Sequence, residues 1–256
     1  MQVQITLAKT AGFCFGVNRA VTMLYDLVDK GENICTLGPI IHNPQVIDDL
    51  SSKGVNIIDN IESVSSDKKV VIRTHGVEKS SLDFCVNNSI DFIDATCPFV
   101  KKIHKIVEKN SKESLPVLMA GDSKHPEVIG IKSYCNGECF IFNSAEELEN
   151  ILKTNTFNKE KPFIVVSQTT FSIKEWKKCI KIINLYYTNA IIFDTICNAT
   201  EERQAEALLL SKKNDIMIII GGRTSSNTAK LKAVCEPNCP TYLIETAKEL
   251  LDIAFC

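Results

Sequence analysis

Phe92-Ile93-Asp94-Ala95-Thr96-Cys97-Pro98 leads into Phe99-Val100-Lys101-Lys102-Ile103: a short apolar strand, a turn, then a cysteine at the mouth of an amphipathic helix. The frame recurs at Ile191-Ile192-Phe193-Asp194-Thr195-Ile196-Cys197-Asn198-Ala199-Thr200, again as Asp-x-x-Cys. It recurs more loosely at Ile5-Thr6-Leu7-Ala8-Lys9-Thr10-Ala11-Gly12-Phe13-Cys14-Phe15-Gly16, which continues as Val17-Asn18-Arg19-Ala20. Unpaired N–H groups and the positive dipole end at a helix N-terminus favour a thiolate. One such cysteine in each third of the chain reads as three ligands to a single metal centre. The competing reading is three separate buried thiols, since free cysteine is among the most buried residue types. The repeated frame favours the shared centre.

The chain has 256 residues, enough for one large α/β domain or two to three small ones. Its 45% hydrophobic content is that of a globular protein with a core. Charges nearly cancel, 29 basic against 31 acidic, so nothing points to nucleic acid or an anionic membrane as partner. No apolar run reaches membrane-spanning length, and Met1-Gln2-Val3-Gln4-Ile5 runs into a strand without a signal-like segment, so the expected location is cytoplasmic. Eleven cysteines there indicate metal or redox chemistry and not a disulfide framework.

Strands are expected at Val3–Leu7, Asn33–Thr36, Lys69–Ile72, Asp91–Ile93, Pro116–Met119, Cys139–Phe142, Pro162–Val166, Ala190–Phe193, Ile216–Ile220 and Thr241–Ile244. Helical-period segments lie between them, including Val17–Asp29, Val100–Lys109, Ser172–Tyr186 (opened by the capping box Ser172-x-x-Glu175) and Glu201–Ser211. Such alternation means βαβ units and mainly parallel sheets. With cysteine spacings of 83 and 100 residues, the reading is three small α/β domains, 1–96, 97–193 and 194–256, in a pseudo-threefold arrangement whose cysteine loops converge.

In open α/β sheets, ligands bind at the carboxyl ends of the strands. Those ends carry Ile41-His42-Asn43-Pro44, Arg73-Thr74-His75-Gly76, Lys124-His125-Pro126-Glu127, Ser167-Gln168-Thr169-Thr170 and Thr224-Ser225-Ser226-Asn227. Asn43-Pro44 and Pro126 are helix-start signals, which puts His42 and His125 at helix mouths suited to anions, while His75 follows a strand directly. His104 falls mid-helix and reads as solvated. Together the loops describe a polar, anion-binding cavity, and Glu127 beside His125 is the candidate general acid. Cys135-x-x-x-Cys139 and Cys235-x-x-x-Cys239 have zinc-compatible spacing but fall in different domains, while Cys35, Cys85, Cys179 and Cys256 read as core or incidental thiols. Three ligands leave a metal position open, which suits catalysis. Both a zinc–water centre, as in a three-thiolate zinc hydrolase, and a 4Fe–4S cluster with one open iron satisfy three thiolates.

Gly12-Phe13-Cys14-Phe15-Gly16-Val17, Leu37-Gly38-Pro39-Ile40-Ile41-His42-Asn43-Pro44, Arg73-Thr74-His75-Gly76, Asp94-Ala95-Thr96-Cys97-Pro98, His125-Pro126-Glu127-Val128, Gln168-Thr169-Thr170, Cys197-Asn198-Ala199-Thr200 and Ser225-Ser226-Asn227, in this order, resemble the LytB family of 4-hydroxy-3-methylbut-2-enyl diphosphate reductases, which complete the methylerythritol phosphate route to isoprenoids. The resemblance implies that Cys14, Cys97 and Cys197 hold one 4Fe–4S cluster with an open iron, at the centre of the three domains. It implies a diphosphate held by His42, His75, His125, Ser225, Ser226 and Asn227, with Thr169 at the hydroxyl end and Glu127 supplying protons. Two electrons from ferredoxin or flavodoxin and two protons would expel water from the allylic diphosphate, giving isopentenyl and dimethylallyl diphosphate. The family continues with a further strand, a Gly-Ala-Ser-x-Pro loop and a helix, whereas this sequence stops at Asp252-Ile253-Ala254-Phe255-Cys256. The expectation is a third domain without that diphosphate-binding serine, and the alternative to the reductase is a catalytically weak cluster-binding protein.

Overall fold

The computed structural model describes residues 4–112, 115–154 and 161–253. In chain order its elements are α1 (Phe15–Asp29), β1 (Ile34–Leu37), α2 (Pro44–Ser52), β2 (Asn56–Ile58), β3 (Lys69–Ile72), α3 (Lys79–Asn87), β4 (Phe92–Asp94), α4 (Pro98–Ser111) and β5 (Val117–Ala120). They continue as α5 (Pro126–Lys132), β6 (Cys139–Phe142), α6 (Ala145–Lys153), β7 (Phe163–Ser167), α7 (Ile173–Tyr186), β8 (Ala190–Ile192), α8 (Asn198–Ser211), β9 (Met217–Ile220), α9 (Ser226–Cys235) and β10 (Thr241–Ile244). Short 3₁₀ turns lie at Ile61–Ser63 and Ala247–Asp252.

All pairings are parallel and form three sheets, ordered β2-β1-β3-β4, β6-β5-β7-β8 and β10-β9. The two larger sheets thus repeat one topology, and in each the order reverses between the first and third strands. Of their central strands, β1, β5 and β7 are buried along their whole length and β3 all but Lys69, because helices cover both faces. Alternate residues point to opposite faces. In β5, Val117 and Met119 pack with Ile103, Val107, Val128 and Ile131 of α4 and α5. Leu118 and Ala120 pack on the other face with Leu148, Trp176, Cys179 and Ile183 of α6 and α7. The first sheet is built alike, with Ile34 and Val71 facing α1 and α2, and Cys35, Val70 and Ile72 facing Cys85 of α3.

Four expectations are corrected. Residues 4–8 form no strand, and Ile5 and Leu7 are exposed; the chain beyond them is tied instead to α8, where the Glu206 carboxylate accepts from the N–H groups of Lys9 and Thr10 and from the Thr10 hydroxyl. Val3 of that expected strand and Cys256 lie outside the described residues. The strand Asn56–Ile58 has no counterpart in the expected set; with its first two residues exposed, this edge strand lacks the apolar run that marks a central one. His104 is buried, not solvated: Val100, Ile103, His104 and Val107 make one helical stripe, and the ring stacks on Tyr134 at 4.3 Å. The Ser172 capping box is half made, since Glu175 spends one oxygen on the Ala145 N–H across to α6.

Candidate active site

Strand ends deliver the site. In the first sheet the order reverses between β1 and β3, and the loops leaving their carboxyl ends carry His42 and His75. In the second it reverses between β5 and β7, whose loops carry His125 with Glu127 and Thr169. The fourth strand of each sheet, β4 or β8, leads to Cys97 or Cys197, and the loop after β9 ends in Ser225, the N-cap of α9, whose first residues are Ser226 and Asn227.

The loops are cross-tied. Thr74 donates through both N–H and hydroxyl to the Ile40 carbonyl, and the Cys97 N–H donates to the Thr74 carbonyl at 2.9 Å. In the second sheet the Cys197 N–H makes the equivalent bond to the Thr169 carbonyl at 3.1 Å. Arg19 of α1 donates to the Ala95 and Thr96 carbonyls just before Cys97, and Arg203 of α8 donates to the Gly12 carbonyl just before Cys14.

Cys14, Cys97 and Cys197 are the N-cap residues of α1, α4 and α8, and none spends its side chain on capping. A Cβ on Gly16 would lie 2.6 Å from the Cys97 sulfur, so the missing side chain leaves a cradle where α1 meets that thiol. Cys14 and Cys197 lie near enough to Cys97 for their charges to raise its pKa. Burial pushes the Cys97 and Cys197 thiols up despite the helix-mouth N–H groups at Cys97 and the Thr200 hydroxyl at Cys197. The lowering expected from the helix mouths is therefore overridden by desolvation, and a bound metal would be needed to hold these sulfurs as thiolates. A single tetrahedral zinc with Zn–S of about 2.3 Å needs its sulfurs roughly 4 Å apart. Among the described residues, the group whose metal-binding atoms all lie within 4.8 Å of one another is His42, His75 and His125, not the cysteines. Three thiol donors at helix mouths suit either an iron–sulfur cluster or a zinc ion.

The three imidazoles face one another with ring centroids 4.6, 5.2 and 5.5 Å apart. All are held below their ordinary value, chiefly by burial: His125 to about 4, His75 well below and His42 to a smaller extent. The cation of Arg73 adds to the effect on each. His125 Nδ1 accepts the Glu127 N–H at 3.1 Å, so the neutral ring carries its proton on Nε2 and presents a donor. A metal-binding histidine normally donates from its second nitrogen, whereas His125 accepts there, so the triad suits an anion better than a cation.

Glu127, at the start of α5, is almost wholly buried. Its Oε1 accepts the Thr169 N–H at 2.6 Å and its Oε2 accepts the Thr169 hydroxyl at 2.9 Å. These donors favour the carboxylate, yet desolvation prevails and raises the group to about 7. Glu127 adjoins His125, and Thr169, which grips it, also accepts the Cys197 N–H through its carbonyl. The Thr170 hydroxyl donates to Ser226 at 2.9 Å, and Ser225 caps α9 by accepting from the Thr228 N–H. A Cβ on Gly222 would lie 2.3 Å from the His42 carbonyl oxygen, which brings the loop before Ser225 against the His42 loop. Hydrogen bonds thus link the loops of His42, His75 and Cys97, link Glu127, Thr169 and Cys197, and link Thr170 to Ser226, while the three histidine rings face one another.

Sequence reasoning passed over Arg73, Gln168, Gly16 and Gly222. Arg73 stands inside the quoted Arg-Thr-His-Gly run, and its charge beside three imidazoles was open to notice. Gln168 is buried next to Thr169, with Oε1 accepting the Asp122 N–H and Nε2 unpartnered. The two glycines act through what they leave empty, for which a sequence carries no signal.

Parallel α/β sheets, thiols at three helix mouths, a histidine anion site and a carboxyl group raised by burial define a metal-dependent α/β protein that handles a small anionic ligand. The family model described as LytB protein matches residues 5–255, and the chain belongs to that family. It is 45% identical over 253 residues to the 4-hydroxy-3-methylbut-2-enyl diphosphate reductase of Thermoanaerobacter sp. (strain X514), covering 97% of this chain and 86% of that protein. The reductase of the same name from Clostridioides difficile (strain 630) is 39% identical over 249 residues, covering 97% and 88%. Among solved structures, (E)-4-hydroxy-3-methyl-but-2-enyl diphosphate reductase, the terminal enzyme of the non-mevalonate pathway, superposes with TM-score 0.70 at 37% identity, covering 97% of this chain and 88% of that one. The Plasmodium falciparum reductase superposes with TM-score 0.86 at 25% identity, covering 94% and 77%. No helix among the described residues is long and apolar enough to cross a membrane.

Proposed function

We propose that the chain is a 4-hydroxy-3-methylbut-2-enyl diphosphate reductase, taking two electrons and two protons to replace the allylic hydroxyl by hydrogen and release water, with isopentenyl and dimethylallyl diphosphate as products. The observation that carries this reading is Glu127, a buried carboxyl group next to His125 and gripped by Thr169, whose carbonyl accepts the Cys197 N–H. Family membership favours it over a three-thiolate zinc hydrolase.

Cys14, Cys97 and Cys197 would hold one 4Fe–4S cluster with three thiolate ligands and one open iron. When bound, that group supplies the electrons and a Lewis acid for the hydroxyl. His42, His75 and His125 hold the diphosphate through ring N–H groups, with Arg73 adding positive charge and Ser225, Ser226 and Asn227 closing on it from the third sheet. Binding the anion favours protonated imidazoles and so offsets the cost of burying them. Thr169 orients the hydroxyl end. Glu127, near neutrality in its pKa, gives its proton to the departing hydroxyl. Ferredoxin or flavodoxin is the electron donor. The three sheets, with boundaries near residues 96 and 193, form three units in a pseudo-threefold arrangement around this centre, and the segment before Cys14 belongs with the third unit through its bonds to α8.

Anaerobic purification with iron, sulfide and zinc analysis, followed by a reduced methyl viologen assay with the allylic diphosphate, tests the reading. Iron and sulfide with diphosphate-dependent dye oxidation are expected. Stoichiometric zinc without sulfide would overturn it.

A further inference from the structure

Helix α4 carries its charge on one side. Val100, Ile103, His104 and Val107 are buried, while Lys102, Lys105 and Lys109 are exposed at helical spacing. Asp94 meets Lys101 at 2.7 Å and Glu108 meets Lys79 at 2.6 Å. Among the described residues, Lys102, Lys105 and Lys109 form no ion pair.

These three lysines line an open groove of about 580 Å³ between α4 and the chain leaving β8, together with the apolar Pro98, Ile106 and Phe193. Ile106 and Phe193 also pack against the core beneath α4, and the Phe193 N–H donates to the Val165 carbonyl at 2.9 Å, so the apolar wall is fixed. Pro98 directly follows Cys97, and Phe193 stands on the segment that runs into Cys197. The groove therefore borders the chain leading to two of the three thiols.

Unpaired lysines alone do not distinguish this face. Lys174, Lys177 and Lys181 of α7 are also exposed and form no ion pair among the described residues. Helix α7, however, covers the opposite face of the second sheet and opens at Ser172, not at a cysteine.

We propose that the groove along α4 is the docking surface for an acidic one-electron carrier protein. The proposal rests on the reductive function proposed above, which needs two electrons from outside. With 29 basic and 31 acidic residues the chain as a whole does not attract an acidic partner, so recognition falls to a local concentration of cations. Lys102, Lys105 and Lys109 steer the carrier's carboxylates, and Pro98, Ile106 and Phe193 seat its apolar edge beside the Cys97 loop. At each docking the carrier is oxidised by one electron, which passes to the metal centre. Two dockings and two protons balance the replacement of the hydroxyl by hydrogen and the release of water.

The test measures, by calorimetry at low and high salt, the binding of an oxidised flavodoxin and an oxidised ferredoxin to the anaerobically purified holoprotein. Turnover is followed with reduced methyl viologen and with the reduced carriers. Lys102→Glu/Lys105→Glu/Lys109→Glu is compared with Lys174→Glu/Lys177→Glu/Lys181→Glu, which changes the net charge equally. At least one carrier should bind the parent, more weakly at high salt, and bind the α4 variant about tenfold less tightly or worse. The α7 variant should bind like the parent. The α4 variant should keep its iron and its methyl viologen turnover, since a small dye needs no docking surface, and lose carrier-driven turnover. Undiminished binding in the α4 variant, equal weakening in the α7 variant, or no binding of either carrier to the parent would overturn the proposal. So would a parent dimer that the α4 substitutions dissociate, which would make this face a contact between copies. A parent that binds a carrier but shows no methyl viologen turnover would overturn the reductase reading and not the docking.

Discussion

Thr169 holds both oxygens of Glu127, the backbone N–H on Oε1 at 2.6 Å and the hydroxyl on Oε2 at 2.9 Å. A carboxylate with two donors and no burial would stay ionised well below neutrality. Here burial lifts it to about 7, so the group carries a usable proton near neutral pH.

Glu127→Gln keeps the shape but removes that proton. Turnover should fall by about 10²–10⁴-fold with iron content retained. In the parent, activity should decline as pH rises through about 7, where the acid form is lost, and the variant should lack that limb. Steady-state rates across pH check both; an unchanged rate in the variant would remove Glu127 from the mechanism.

Gly16→Ala touches no ligand, yet its Cβ would lie 2.6 Å from the Cys97 sulfur. Iron and sulfide per chain after anaerobic reconstitution should drop sharply. Gly137→Ala, where nothing lies within 4 Å of the new Cβ, should leave both unchanged.

Cys14→Ser, Cys97→Ser and Cys197→Ser should each lose the cluster, whereas Cys239→Ser should keep it. Mössbauer spectra of the parent should show one iron unlike the other three. Loss of iron in the last variant would mean a different ligand set.

Gly222→Ala sets a Cβ 2.3 Å from the His42 carbonyl oxygen, a backbone atom that cannot swing aside. The His42 loop must move, so KM for the allylic diphosphate should rise about tenfold, equivalent to ~1.4 kcal/mol. Iron content should stay constant, because the cysteine loops are not involved.

Acid should destabilise the fold through His104. Its pKa falls from an ordinary 6.5 to about 4 on folding because burial penalises the charged ring. The native state resists protonation, so stability is full above pH 6.5 and is lost as pH falls towards 4. The loss should be on the order of 3 kcal/mol. Melting curves over this range should show a weaker acid dependence for His104→Gln than for the parent.

The sequence alone carried the alternation of strand and helix, the cysteines at helix mouths and the polar loops at strand ends, because these depend on local periodicity and capping. Lys69–Ile72, Cys139–Phe142 and Thr241–Ile244 are strands with the expected limits, and Asn43 caps α2 through its side chain, accepting the Val46 N–H at 3.0 Å. Local pattern misled where a partner decided the outcome. The apolar run at Ile5–Leu7 looks like a strand, but a strand needs a neighbour, and the described chain ties this segment to Glu206 on a helix instead. His104 reads as solvated among Lys101, Lys102 and Lys105, but burial is set by which face of α4 meets Tyr134. The close approach of Gly16 to Cys97 and of Gly222 to His42, the Arg73 charge acting on three imidazoles, and the raised pKa of Glu127 were decided by the tertiary structure. Each arises from distances between groups remote in sequence and from the water that packing excludes, and neither quantity exists until the chain has folded.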